Sequence, residues 1–284
     1  MDSLPKTIKQ AYLLLRALNT REAIEVLKLV VYLYREFSIK AVITPKIEKF
    51  IVQFKYKDEQ LLQLKVKEIK ELKEVLNILK KYSIKYFILG NGSNIILPPY
   101  YDGIVIKLNN FDKLTIKDNE VVVESGYMFN KLSNELSNMG YTGYEWSVGI
   151  PGTVGGCIYN NAGAYKMSVS DLLISVTVLK NNEIIELPSS ECNFGYRTSL
   201  FKEEKDYIIL SCRLKIHKGN IDEIKSLIND RTKRRIETQP LNYPSCGSVF
   251  RNPDSISAGK LIEDLGLKGY SIGGACVSNL HANF

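Results

Sequence analysis

Apolar residues recur at helical spacing between Glu68 and Tyr82, where Ile69, Leu72, Val75, Leu76 and Leu79 share one face, so the pattern predicts a helix there. A longer helical pattern fills residues 5 to 38: Tyr12, Leu13, Leu15 and Leu18 form one run, and Ile24, Leu27, Val30, Val31, Leu33 and Tyr34 a second. Thr20 is the expected N-cap between the runs, and Pro45 marks the end of the extension. From Phe50 to Val66 the pattern alternates as a strand does. The apolar run Tyr86 to Leu89 completes a β-α-β unit, and with the pair Ile95-Ile96 it reads as strand, tight turn, strand.

Farther on, three short β-rich runs lie between Gly103 and Glu124, and a helix is expected from Asn130 to Met139. Leu173 to Leu179 and Glu183 to Leu187 flank Asn181-Asn182, a dipeptide suited to a tight hairpin. A strand follows at Tyr207 to Ile216, then a helix at Ile221 to Ile236 with arginine and lysine at its C-terminal end, where the helix dipole favours cations. Strands and helices mix without steady alternation, which implies an α+β fold in at least two domains.

Two glycine-rich segments interrupt this pattern. Trp146 to Tyr165 contains Gly149, Ile150, Pro151, Gly152, Gly155, Gly156 and Gly163 in a stretch too apolar and too long for an ordinary surface loop. Glycine lets backbone N–H groups approach a bulky ligand, although a glycine-rich loop at a sheet edge is the plainer reading. Gly90-Asn91-Gly92-Ser93-Asn94 follows the apolar run at Leu89. Its amides and short polar side chains suit phosphate oxygens, but it matches neither the dinucleotide fingerprint nor the nucleotide P-loop.

Composition narrows the chemistry. The 284 residues suffice for a multi-domain enzyme, and 45% hydrophobic with 24% charged residues is ordinary for a soluble globular protein. The sequence has no apolar run of bilayer length and no signal-peptide pattern at its start, so a cytoplasmic location without membrane insertion is expected. Five cysteines, scattered and odd in number, favour reduced thiols, and only two histidines argue against a histidine-based metal site. Redox chemistry would then need an organic cofactor. The formal charge of +7 comes largely from lysine-rich helical faces such as Lys65 to Lys81, which are usually solvated. A field attracting anionic ligands is the minority reading, and nucleic acid is not expected because aromatics do not interleave with arginines.

Three later segments place polar residues in unusual settings. Tyr196-Arg197-Thr-Ser199 sets an arginine among aromatics, where a partly desolvated guanidinium binds anions bidentately; a surface cation-π arginine is the commoner case. Pro244-Ser-Cys-Gly247-Ser248-Val-Phe-Arg-Asn252-Pro is turn-rich and carries a serine beside a glycine, for which turn chemistry is the plain reading. Ala258-Gly-Lys260 opens the run that leads to His281-Ala-Asn-Phe284.

Taken in order, the Gly-Asn-Gly-Ser-Asn turn, Gly-Ile-Pro-Gly-Thr-Val-Gly-Gly, Tyr-Arg-Thr-Ser, Pro-Ser-Cys-Gly-Ser-Val-Phe-Arg-Asn-Pro and His-Ala-Asn-Phe closely resemble the UDP-N-acetylenolpyruvoylglucosamine reductase family from about Glu68 to Phe284. The resemblance implies a flavoprotein with two small FAD-binding α+β subdomains, residues 45–110 and 111–217, and a substrate-binding domain at 218–284, preceded by a helical extension at 1–44. NADPH would reduce FAD, and the reduced flavin would pass hydride to the enolpyruvyl group of UDP-N-acetylglucosamine enolpyruvate. By the same likeness Gly90, Asn91, Gly92, Ser93 and Asn94 would bind the FAD pyrophosphate, and Gly149, Ile150, Pro151, Gly155 and Gly156 would line the flavin. Arg197 would stabilise developing negative charge and Ser248 would donate the proton, with Tyr196, Asn252 and Lys260 contacting substrate.

Two departures from the family pattern qualify these expectations. Lys57 and Asp58 stand where the family has two glycines, which would strain that turn. The sequence stops at Phe284, before the family's catalytic glutamate, so the substrate domain is expected to be incomplete and activity reduced. A non-catalytic protein binding FAD or a UDP-sugar is the alternative expectation.

Overall fold

In a computed structural model, described for residues 51–54, 60–81, 83–97, 100–243, 245–253 and 256–284, the chain divides into two units. The expectations for the helical extension and for Lys57 and Asp58 lie outside the described residues.

The first unit runs through Ile88 and includes Pro98–Lys107. Strands β1 (Ile51–Phe54) and β2 (Gln60–Lys65) pair antiparallel, helix α1 (Ile69–Lys81) follows, and β3 (Tyr86–Leu89) and β4 (Tyr100–Lys107) complete a sheet of order β1-β2-β4-β3. Leu72, Val75 and Leu79 are buried, as the helical spacing predicts. The strand that pairs in parallel with β2 is β4, in the register Leu62↔Ile104 and Leu64↔Ile106, so the β-α-β unit receives its neighbour from farther along the chain.

Ile95 and Ile96 do not form the strand that their hydrophobicity suggests. They sit in irregular backbone, 43% and 83% exposed, and the sequence that follows them, Pro98-Pro99, offers a sheet no N–H donors.

The second unit takes Leu89–Leu97 and Leu108–Phe284. Strands β5 (Leu114–Lys117) and β6 (Glu120–Glu124) lead to helix α2 (Phe129–Asn138) and a short β7 (Tyr141–Thr142). Helix α3 (Val154–Tyr159), the small pair β8 (Gly163–Ala164) and β9 (Met167–Ser168), and helix α4 (Val169–Leu172) precede β10 (Leu173–Lys180) and β11 (Glu183–Pro188). After helix α5 (Leu200–Glu203) come β12 (Ile208–Lys215), β13 (His217–Lys218) and helix α6 (Ile221–Thr238). Helix α7 (Ala258–Asp264), β14 (Ser271–Ile272) and β15 (Ala275–Cys276) close the chain.

The central sheet has the order β11-β10-β12-β6-β5 and is antiparallel throughout. Asn181 and Asn182 adopt φ of 50° and 66°, the two positive values that a tight β10–β11 hairpin needs. Val121, Val123, Val176, Cys212 and Leu214 from the sheet share one core with Phe129, Leu132 and Leu136 of α2 and Val154 and Ile158 of α3. Each such fully buried side chain contributes roughly 1.5–3 kcal/mol through removal from water. This core fixes α3 and the segment leading into it. No described helix is long and apolar enough to cross a membrane.

Candidate functional site

The glycine-rich segment departs from a pure loop because it contains α3. Thr153 caps that helix, its hydroxyl oxygen accepting the Gly156 N–H at 3.3 Å. The Val154 N–H donates to Tyr127 O and the Gly155 N–H to Ser125 O, both at 2.8 Å. The amides of Gly155 and Gly156 are therefore committed within the protein, contrary to the expectation of bare N–H groups. Close packing explains the glycines instead: a Cβ at Gly155 would lie 2.9 Å from Ser125 Cβ, and one at Gly149 would lie 2.5 Å from Arg235 Cδ.

The turn after β3 differs. Asn91 Nδ2 donates to Pro151 O at 2.7 Å and ties this turn to the glycine-rich segment. A Cβ at Gly90 would strike Thr153 Oγ1 at 2.7 Å, so glycine permits that approach. Gly92 has φ of +77° and open space around it. Among the described residues the backbone N–H groups of Asn91, Gly92, Ser93 and Asn94 meet no protein acceptor, which leaves a row of donors. Such a row can hold phosphate oxygens.

Arg197 reaches the same glycine-rich segment from the other side of the sequence. Its Nη2 donates to Gly163 O at 2.6 Å and its Nη1 to Asn161 O at 3.3 Å, while its Cζ lies 5.2 Å from the Tyr196 ring centre. The Arg197 backbone is left-handed, with φ of +58°, and Lys202 Nζ donates to its carbonyl at 3.0 Å and to Asn160 Oδ1 at 2.8 Å. Burial lowers the Lys202 pKa, and the nearby positive charges of Arg251 and Arg197 lower it further, so cations gather here. Buried Asn161, with φ of +40°, donates from Nδ2 to Gly195 O at 3.0 Å and accepts the Ser170 N–H at 3.2 Å. Sequence reasoning missed Asn161 and Lys202 because each is tied into this network by a bond to a residue tens of positions away, Gly195 and Asn160 respectively. The one available signal was an Asn-Asn pair inside the glycine-rich run.

Ser248 is exposed, in a turn where Gly247 takes φ of +87° and donates its N–H to Ser245 Oγ at 3.1 Å. A Cβ on Gly247 would lie 3.4 Å from Asn94 Oδ1, so this turn abuts the one after β3. Asn283 clamps it from below: Asn283 Oδ1 accepts the Phe250 N–H at 2.9 Å, Nδ2 donates to Phe250 O at 2.9 Å, and Asn283 O accepts the Val249 N–H at 3.0 Å. Asn252 joins the Ser248 and Arg197 segments, its N–H donating to Tyr196 Oη at 3.3 Å. Its Oδ1 accepts the Ala258 N–H at 3.1 Å at the start of α7.

Lys260 stands apart from that network. It is ion-paired to Asp264 one turn along α7 and lines a cleft of about 650 Å³ that Trp146, Gly149 and Tyr165 also line. Helix α6 supplies Arg231, Arg234 and Arg235 to this cleft, and His281 lies in it with its pKa lowered chiefly by burial. Two phosphate-compatible surfaces thus exist in the second unit, a backbone row after β3 and a basic cleft.

Comparison with known proteins gives these surfaces a context. Residues 62–187 match the model of an FAD binding domain, and residues 239–284 match the model described as "UDP-N-acetylenolpyruvoylglucosamine reductase, C-terminal domain". The chain is 41% identical over 218 residues to a UDP-N-acetylenolpyruvoylglucosamine reductase of Clostridium beijerinckii, a match covering 76% of this chain and 71% of that protein. It is 43% identical over 221 residues to the reductase of the same name from Anoxybacillus flavithermus, covering 77% of this chain and 73% of the relative. The crystal structure of the corresponding reductase from Thermus caldophilus superposes with a TM-score of 0.69 at 31% identity, covering 80% of this chain and 81% of that one.

Proposed function

Because the chain belongs to the UDP-N-acetylenolpyruvoylglucosamine reductase family, we propose that it reduces UDP-N-acetylglucosamine enolpyruvate to UDP-N-acetylmuramate in peptidoglycan precursor synthesis, with FAD as cofactor and NADPH as reductant. The observation that carries this reading is the anchoring of Arg197 on the carbonyls of Asn161 and Gly163, inside the segment expected to face the flavin. A location in the cytoplasm and the division at residues 110 and 217 into two FAD-binding parts and a substrate part belong to the same proposal.

The residues present fit FAD. The unpaired N–H groups of Asn91 to Asn94 and the open space around Gly92 form a cradle that a pyrophosphate can occupy. Gly149, Ile150, Pro151, Gly155 and Gly156 supply a wall with little side-chain bulk. FAD, when bound, carries hydride from NADPH to the enolpyruvyl β-carbon.

The protein's part is positional and electrostatic. Negative charge grows toward the substrate carboxylate as hydride arrives, and Arg197, held rigidly by backbone carbonyls, stabilises that charge. Lys202 supports Arg197 through its carbonyl and adds to the local positive field. Ser248 Oγ–H delivers the proton to the α-carbon. A serine hydroxyl is a weak acid, so the transfer relies on the strong basicity of the developing carbanion and on a fixed turn. Tyr196, Asn252 and Lys260 complete the proposed substrate contacts. Asn252 does so with its backbone N–H and Oδ1 already engaged, leaving its Nδ2 donor for a ligand.

The alternative, a non-catalytic FAD- or UDP-sugar-binding relative, is not favoured. The relatives that match most of the chain are reductases, and the positions proposed for the reaction, Arg197 and Ser248, are both present. The test is spectroscopic: purified protein is expected to be yellow, to bleach on anaerobic addition of NADPH, and to recover when the enolpyruvyl nucleotide-sugar is added. A colourless protein that takes up no FAD contradicts the flavin reading, and bleaching without recovery contradicts the reductase reading.

A further inference from the structure

Arg197 occupies an unfavourable backbone position, and the bonds that hold it there converge on one buried side chain. Gly195 to Thr198 form a tight turn, closed by the Thr198 N–H donating to Gly195 O at 3.3 Å and the Gly195 N–H donating to Thr198 O at 3.2 Å. Arg197 is the third residue of that turn, with φ of +58°. Turns that need a positive φ there normally use glycine or asparagine, so an arginine keeps the position only where its surroundings hold the turn.

Asn161 grips this turn at two points. Its Nδ2 donates to Gly195 O at 3.0 Å, adding a second bond to the carbonyl that closes the turn. Its main-chain carbonyl accepts Arg197 Nη1 at 3.3 Å, while Gly163 O accepts Nη2 at 2.6 Å. The base of the turn and the tip of the arginine are therefore both referred to one residue. The Asn161 amide has no freedom of its own: Gly195 O can only accept and the Ser170 N–H, at 3.2 Å, can only donate, which fixes its orientation. With Asn161 only 6% exposed, water cannot replace either bond. Asparagine also tolerates the left-handed backbone at this position, φ of +40°, better than most side chains.

The remaining ties fasten the chain after the turn. Ser199 Oγ donates to Tyr159 O at 2.7 Å and Lys202 Nζ donates to Asn160 Oδ1 at 2.8 Å, and Ser199 and Phe201 are fully buried. These contacts keep the segment docked when the Asn161 amide is removed. They do not set the spacing between Gly195 and the carbonyls that carry the guanidinium. That spacing decides where the unused N–H groups of the fork point, and a displacement of about 1 Å is enough to cost a catalytic group much of its effect.

We infer that Asn161 is a positioning residue for the reduction: by holding Gly195 with its amide and Nη1 with its carbonyl, it aims Arg197 at the carboxylate of the enolpyruvyl group. It acts on the reaction through Arg197 and not by contact with the substrate. This rests on the reductase reading for what Arg197 does.

The test compares Asn161→Gly, Arg197→Ala and the double variant in the whole, FAD-loaded protein. Glycine accepts the left-handed backbone without strain and deletes only the amide. Protein reduced with NADPH is mixed with saturating UDP-N-acetylglucosamine enolpyruvate, and flavin reoxidation is followed. Asn161→Gly should keep its FAD, be reduced at the unaltered rate, and be reoxidised roughly 10- to 10²-fold more slowly, the scale for a displaced catalytic group. The double variant should match Arg197→Ala alone within about twofold, because a residue that acts through Arg197 then has nothing left to position. Losses that multiply in the double variant would overturn the inference, as would unchanged reoxidation in Asn161→Gly. A parallel loss of FAD and of reduction rate in Asn161→Gly would mark a merely structural role and overturn it too. Should Asn161→Gly not fold, Asn161→Asp carries the same comparison, since it keeps the acceptor for the Ser170 N–H and loses the donor to Gly195 O. Unchanged reoxidation in Arg197→Ala would instead remove the role of Arg197 itself, so failure of the reductase reading and failure of this inference are told apart.

Discussion

The strand-built region from Leu114 to Lys215 and the closing region from Gln239 to Phe284 hold the side chains proposed for catalysis by different means. Arg197 belongs to the first. Its segment is anchored to buried Phe201 and Ser199, and its guanidinium rests on a loop fixed by a continuous hydrophobic core. Ser248 belongs to the second, where Val249, Phe250, Leu265 and Ile272 are 60–72% exposed. There the turn carrying Ser248 is held by hydrogen bonds to Asn283, which is itself only 3% exposed. A core makes a position insensitive to the loss of any one contact, whereas a polar clamp concentrates the positioning in one residue.

The sharpest way to break this comparison is to remove the anchored cation. Arg197→Ala should lower turnover by roughly 10²–10³-fold, the scale for losing one preorganised charge stabiliser, while FAD content and thermal stability stay close to the starting protein. Steady-state assay with flavin absorbance measures both. A large fall in stability instead would mean that Arg197 serves mainly to hold its loop.

Asn283→Ala probes the other region. It removes both side-chain hydrogen bonds to Phe250 and should cost about 1–3 kcal/mol locally. Hydrogen exchange should show lost protection at the Phe250 and Val249 amides with β10 and β12 unchanged. Uniform loss across both regions would show that they unfold as one.

The smallest perturbation is chemical labelling. Burial pushes the Cys157 thiol up to about 12 and the Cys192 thiol up to about 11, and raises Cys212 as well. All three lie in the strand-built region, while Cys246 is half-buried and Cys276 exposed in the closing region. A thiol reagent near neutral pH should therefore modify Cys246 and Cys276 in the native protein and reach the other three only on unfolding. Rapid modification of Cys157 or Cys212 would deny the tight core assigned to the first region.

What the sequence revealed follows the same divide. Helix α1, the hairpin at Asn181-Asn182 and strand β12 are set by local spacing, and periodicity finds them to within a residue or two. The order of the motifs also singled out Arg197 and Ser248 as the residues proposed for catalysis. It did not reveal how they are held, because Asn283 acts on Phe250 across 33 residues and Arg197 acts on Asn161 across 36. Side-chain to backbone bonds at that range leave no periodic trace. The same reason hid α3 inside the glycine-rich run, whose cap at Thr153 and contacts to Ser125 and Tyr127 outweigh the low helix propensity of Gly155 and Gly156. Ile95 and Ile96 erred in the opposite direction, their apolar character suggesting a strand that the structure does not form.

The account stands on two differently held residues serving one reaction, and Ser248→Ala tests it most directly. Protein reduced anaerobically with NADPH is mixed rapidly with UDP-N-acetylglucosamine enolpyruvate while flavin absorbance is followed. The variant should be reduced at the rate of the unaltered protein, yet its flavin should recover slower by a factor on the order of 10²–10⁴, as expected for loss of the proton donor. Recovery at an unchanged rate would contradict the proton-donor role of Ser248 and, with it, the joining of the two regions into a single active site.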